Sequence, residues 1–127
     1  GRIWKKEQGK DMPVQTEDFE KLFREQIARL ELSHFLILYW AAESEGAAVK
    51  YNITNLFDDL KFAGITRTKQ TAVAAVISLA TLCFIDLREE HNRKNIYITR
   101  FGAKALESMI RNNVFSKIES TYLKGRK

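Results

Sequence analysis

Between Asn52 and Thr99 two amphipathic segments meet at Gly64 and lead into two short apolar runs on either side of a charged stretch, an order that few folds accommodate. Ile53, Leu56, Phe57 and Leu60 recur at i, i+3, i+4 and i+7, which predicts a helix capped by Asn52 and stopped at Gly64. A second helix is expected from about Thr68 to Thr81. Ile85 alternates with Leu87, and Ile96 with Ile98, so each pair predicts a strand with one buried face. The polar stretch Arg88 to Asn95 then makes a hairpin tip.

Helix, short turn, helix and hairpin in that order read as a winged helix-turn-helix. The expected fold is mainly α with a small β-hairpin, carrying N- and C-terminal dimerisation helices. Residues 1–15, with Gly9 and Pro13, read as a flexible arm; residues 16–127 read as a single winged-helix domain whose core is 32–100. Thr16 is an expected N-cap with Glu17 and Asp18 at the positive end of the helix dipole. The helix that follows bears an apolar stripe of Phe19, Leu22, Phe23, Ile27 and Leu30. Ser33 is placed to cap the next helix, whose run Phe35 to Trp40 is apolar nearly all round and belongs at the centre of the fold. Ser44 to Gly46 should end it, and Val49 to Tyr51 should form a short strand. From Gly102 a last helix carries Leu106, Met109, Ile110, Val114, Ile118 and Tyr122, long enough to project beyond the globule. The stripes on Phe19, Phe23 and Ile27 and on Leu106, Ile110, Val114, Ile118 and Tyr122 suit a dimer interface.

Charge is distributed unevenly. Residues 1–63 hold nine Lys/Arg against eleven Asp/Glu, a charge of −2, whereas residues 64–127 hold twelve against five, or +7. A positive field over one part of a surface attracts polyanions and makes their binding sensitive to salt. The single cysteine, Cys83, cannot form an internal disulfide, so a reducing cytoplasm is expected. No run of about 18 apolar residues is present, so no membrane span is expected. The chain begins at Gly1 rather than Met, which suits a tag remnant or a fragment of a longer protein.

The helix from Thr68 concentrates the chemistry. Val73, Val76, Ile77 and Ala80 are expected on its buried side; Arg67, Thr71, Ala74, Ala75 and Ser78 fall opposite. Small residues there would let a helix approach the floor of a major groove, where alanine also meets a thymine methyl. Arg67 and Lys69 can reach guanine acceptors or phosphates, Gln70 can pair bidentately with adenine, and Thr68 and Thr71 can bond phosphate or base. The free N–H groups of the helix end add to phosphate affinity. In the hairpin, Arg88, Arg93 and Lys94 face Glu89 and Glu90; Arg93 is the arginine placed to enter a minor groove.

Other residues receive plainer readings. His34 and His91 have no second His or Cys at metal spacing, so neither a metal site nor a cofactor is expected. Cys83, between Leu82 and Phe84, reads as a small buried hydrophobe. Asp58 and Asp59 read as a solvated pair on the exposed side of their helix. There is no glycine-rich phosphate loop and no Ser/His/Asp or paired-carboxylate arrangement, so no catalytic activity is expected.

The residues Thr68 to Val76, Leu82 to Ile85, Glu90 to Lys94 and Ile96 to Thr99 resemble the MarR family of transcriptional regulators, over about Leu32 to Ile110. Thr68-Lys69-Gln70-Thr71 stands where that family's recognition helix often reads Ser-Arg-x-Thr, Arg93 fits the wing arginine, and Ile98-Thr99 fits the strand end. Asn92 departs from the usual acidic residue, Cys83 from the common glycine, and the turn from Gly64 to Thr68 looks longer. The resemblance implies a homodimer with interlocked terminal helices whose two winged domains read a near-palindromic site, and a small-molecule effector that the residues do not identify.

The function expected from these features is a sequence-selective, double-stranded DNA-binding transcriptional regulator, a homodimer with one helix in the major groove and the wing in the minor groove. Half-sites would then lie about one helical turn apart. A plasmid or phage partition or replication protein on the same fold is one alternative, and a winged-helix module used only for protein assembly is another.

Overall fold

The computed structural model describes residues 16–126. The expected arm, residues 1–15, and the cap side chain of Thr16 lie outside the described residues. In chain order the elements are α1 (Thr16–Ala28), α2 (Leu32–Gly46), α3 (Ile53–Phe62), α4 (Lys69–Thr81), β1 (Ile85–Glu90), β2 (Arg93–Ile98), α5 (Arg100–Arg111) and the single turn α6 (Thr121–Lys124). The protein is thus mainly helical with a two-stranded antiparallel hairpin, an architecture compatible with a winged helix.

α2 is the centre, as its all-round apolarity predicts. Phe35, Leu36, Ile37, Leu38 and Trp40 are fully buried, and α4, α5 and β2 pack around them. Glu31, not Ser33, caps α2: its backbone N–H donates to His34 Nδ1 at 2.9 Å, which gives the half-buried imidazole a structural partner. Burial lowers the pKa of His34, opposed by the nearby Glu31 carboxylate.

Asn52 caps α3 as expected, accepting from Asn55 N at 2.8 Å, and Thr68 caps α4, accepting from Thr71 N at 3.2 Å. Gly64 ends α3 with a left-handed φ of +76°. Three other helices end in the same way without glycine: Ala48 after α2, Cys83 after α4 and Asn113 after α5 all have positive φ. After α4, Cys83 N donates to Ala80 O at 3.0 Å and Phe84 N to Leu79 O at 2.9 Å, the two bonds that close a Schellman cap.

This corrects the expectation for Cys83, which is exposed rather than buried. Position 83 carries a side chain in a conformation that glycine adopts without steric cost. Replacing Cys83 by glycine should therefore stabilise the protein by about 0.5–1 kcal/mol, relief of left-handed strain outweighing the added unfolded-state entropy. A urea midpoint that falls would reveal a packing role for the thiol.

The hairpin pairs Ile85 with Ile98, Leu87 with Ile96 and Glu90 with Arg93. His91 and Asn92 form the two-residue turn, with φ of 53° and 65°. Two successive left-handed residues make the primed turn whose twist matches the flanking strands. The expected strand at Val49 to Tyr51 shrinks to one bridge between Asn52 and Asn95, with Ile96 N donating to Tyr51 O at 2.8 Å. Glu45 at the end of α2 accepts from Ile98 N at 2.6 Å, which secures the other end of β2.

The C-terminal region differs most from expectation. No long projecting helix runs from Gly102; α5 stops at Arg111, and Asn112 and Asn113 turn the chain back over the core. Trp40 Nε1 donates to Ile118 O at 2.7 Å, Phe115 lies 5.7 Å from Phe35, and Leu123 is fully buried. Val114, Ile118 and Tyr122 therefore do not continue a stripe with Leu106 and Ile110: Val114 is exposed in the loop, while Ile118 and Tyr122 pack on this chain's own core. Asn113 was the available signal, since asparagine is among the few residues that readily end a helix in the left-handed region.

Asp59 also departs from expectation. It is buried, not solvated, and its carboxylate accepts from Tyr51 Oη at 2.6 Å, Ser120 Oγ at 2.5 Å and Tyr122 N at 3.1 Å. Burial, and then the bond to Asp59, pushes the Tyr51 phenol well above its usual range, so it remains a neutral donor. Through this carboxylate α3 holds both the segment before it and the returning C-terminus.

α1 lies at the edge. Ile27 and Leu30 enter the core, and Phe23 packs at 4.9 Å from Phe101 and edge-on to Phe84. Phe19 and Leu22 stay exposed. Of the residues expected to form a dimer interface, Ile27 and Leu106 are buried within this chain, which the spacing of an apolar stripe alone could not show.

Candidate nucleic-acid interface

The turn Ala63 to Thr68 joins α3 to α4 and sets the start of α4 beside the hairpin tip. Asn52 to Asn55 at the start of α3, Lys69 of α4 and His91 to Lys94 of the hairpin line one open groove of about 740 Å³. Lys69, Arg93 and Lys94 thus meet across it, facing the single carboxylate of Glu89. Sequence reasoning selected all three cations, and folding brings them to one groove. The positive ends of two helices open in the same region, adding partial charge of the same sign.

Arg67, Lys69, Gln70, Arg93 and Lys94 are all exposed, and among the described residues none of their side chains enters a hydrogen bond or ion pair. The charge of Arg67, Lys69, Arg93 and Lys94 is therefore available to an external anion. Thr68 and Thr71 are differently placed, because the Thr68 hydroxyl caps α4 and lies 2.9 Å from the Thr71 hydroxyl. Part of their hydrogen-bonding capacity is spent on the helix start.

The exposed face of α4 contains Gln70, Thr71, Ala74, Ile77, Ser78 and Thr81, and the buried face contains Ala72, Val76 and Leu79. Three assignments from the helical wheel change. Ile77, expected inside, is 54% exposed; Val73 is only partly buried; and Ala75, expected outside, packs against the core. Apolar residues fill nearly every position from Ala72 to Ala80, so several stripes were compatible with the pattern, and contacts with α2, α3 and β1 select among them. Ser78 donates to Ala74 O at 3.0 Å, so its hydroxyl is turned onto its own helix.

Arg88 is not at the hairpin tip. It belongs to β1, pairs with Asp86 at 3.1 Å and stacks 4.3 Å from the centre of the Tyr97 ring. Its guanidinium is already engaged, in contrast to Arg93.

A polar cluster at Glu90 anchors the hairpin. Tyr97 Oη and Asn95 Nδ2 each donate to Glu90 Oε1 at 2.6 Å, and Lys50 Nζ donates to it at 3.3 Å and to Tyr97 Oη at 2.9 Å. The tyrosine hydroxyl, followed by the asparagine amide, lowers the Glu90 pKa to about 2. A depressed carboxylate pKa contributes stability that is present above the usual range and disappears as pH falls through about 2, so this anchor stays ionised at neutral pH. Lys50 lies just before α3, and the cluster therefore fixes the hairpin relative to the helices that line the groove.

Among the described residues no helix is long and apolar enough to cross a membrane. The geometry defines a mainly helical domain with a small hairpin and a cationic groove between hairpin tip and helix starts. No family model, no curated protein and no solved structure matches the chain.

Proposed function

We propose that this protein is a sequence-selective, double-stranded DNA-binding transcriptional regulator of MarR-like, winged helix-turn-helix type, acting as a homodimer in the cytoplasm without catalytic activity. One observation carries the reading: unpaired cations from the start of α4 and from the hairpin tip converge on a single groove, beside a helix face that is short at Ala74, Ser78 and Thr81. In this reading α3 and α4 form the helix-turn-helix, and α4 lies in the major groove. Arg67, just before α4, and Lys69 and Gln70 in its first turn reach bases and phosphates, and Arg93 and Lys94 follow the backbone toward the minor groove. Promoter occlusion or recruitment is the mechanism, and a two-fold dimer spaces its half-sites about one helical turn apart.

The test is fluorescence anisotropy of a mixed-sequence duplex at about 50 and about 200 mM salt. Several phosphate contacts should cost about 10³-fold in affinity between these conditions, and Arg93→Ala should reduce the salt slope by about one. No binding at the lower salt would overturn the reading. It would favour a protein-assembly module instead, for which the exposed Phe19, Leu22 and Phe62 offer apolar contacts.

A further inference from the structure

Ile77 breaks the chemistry of its surroundings. The outward face of α4 is otherwise polar or small, with Gln70, Ala74, Ser78 and Thr81, and its one large apolar side chain is 54% exposed. Ala74, Ser78 and Thr81, its neighbours on that face, are all shorter, so the isoleucine stands above them. Ser78 can donate to an external partner only by giving up its bond to Ala74 O, which leaves its hydroxyl as an acceptor there. Isoleucine is also stiff at χ1, which presents its methyl groups in a fixed direction.

In a duplex major groove the apolar group available for direct readout is the thymine C5-methyl. We propose that Ile77 contacts such a methyl and makes thymine preference part of this protein's site selectivity; the inference rests on the proposed DNA-binding function. Gln70 and Ile77 lie about 10 Å apart along the helix axis, since α-helical rise is about 1.5 Å per residue. That distance matches roughly three base-pair steps. α4 would then read two separated positions by different chemistries, adenine by the Gln70 amide and thymine by the Ile77 methyls.

The experiment starts from a duplex obtained by selection from random sequences with the intact protein. Each thymine is replaced in turn by deoxyuridine, which removes only the methyl, and affinity is measured by anisotropy. The expected result is about a fourfold loss at one position per half-site, the value of one buried methyl-sized group. Ile77→Ala should bind the thymine duplex about that much more weakly and lose the penalty for uracil. Alanine is a better helix former than isoleucine, so the variant keeps α4, and circular dichroism checks this. Selective binding that ignores uracil at every thymine, or an Ile77→Ala protein with an unchanged uracil penalty, overturns the role of Ile77 alone. Failure of the protein to bind any duplex overturns the DNA-binding function with it.

Discussion

Gly102→Ala is expected to destabilise the protein by about 3 kcal/mol or more, at the upper end of the range for inserting atoms into a packed core. Helix propensity alone predicts the opposite sign, because alanine in a helix is favoured over glycine by about 1 kcal/mol. The difference lies in what a Cβ would meet: the carbonyl oxygen of Phe84 at 1.9 Å and its carbonyl carbon at 2.8 Å. Phe84 cannot retreat. It is fully buried against Phe23 and Phe101, its N–H is bonded to Leu79 O, and its carbonyl accepts from Thr99 N at 3.1 Å. Moving α5 outward instead would break the Thr99 cap, whose hydroxyl donates to Cys83 O at 2.6 Å and accepts from Gly102 N at 2.9 Å. Urea unfolding should show a lower midpoint at similar slope. Gly46→Ala is the control, since nothing lies within 4 Å of a Cβ there, and it should be neutral or stabilising. Equal stability of the Gly102→Ala protein and the unaltered one would mean that α5 does not sit this close to Phe84.

Asp59→Ala should cost about 4 kcal/mol, because it leaves three donors without their acceptor in a buried site and each such loss costs about 1–3 kcal/mol. Tyr51 Oη, Ser120 Oγ and Tyr122 N all converge on this carboxylate. Asp59→Asn should cost about 2 kcal/mol, since its amide keeps one acceptor but sets a second donor against the existing ones. The distribution of the loss matters as much as its size. Amide exchange should accelerate from Asn112 to Arg126 before it does in α2, because the carboxylate is the main polar tie between α3 and the C-terminal return. Uniform acceleration throughout would show that the C-terminus unfolds only with the whole domain.

Much of the fold follows from local pattern. The all-round apolarity of Phe35 to Trp40 places α2 at the centre, and Asn52, Gly64 and Thr68 mark helix ends by bonds or dihedrals that involve near neighbours in the chain. The same is true of the hairpin, whose alternation at Ile85, Leu87, Ile96 and Ile98 matches the observed register. The cations of the candidate site were legible too, because exposed Lys and Arg at a helix start carry their chemistry without help from distant residues.

Asp59 shows where such reading ends. Beside Asp58 it looks like half of a solvated pair, and two of its partners lie 61 and 63 residues further along the chain. A carboxylate is tolerated in a core only when donors from elsewhere replace water, and spacing within α3 cannot announce them. The stripe from Leu106 to Tyr122 misled for a related reason. Apolar side chains at helical intervals also serve a segment that turns at Asn113 and packs back, and burial against Phe35 and Trp40 decides between the two.

Local pattern sets the order of α1 to α5 and the hairpin, both ends of α3 and α4, the central place of α2 and the basic character of the second half, because these depend on residues within a turn of one another. Tertiary structure decided which face of α4 leaves Ile77 outside, how the C-terminus returns over α3, and that Lys69 shares a groove with Arg93 and Lys94. These outcomes depend on contacts between distant segments, whose burial and hydrogen-bond energies outweigh local preference.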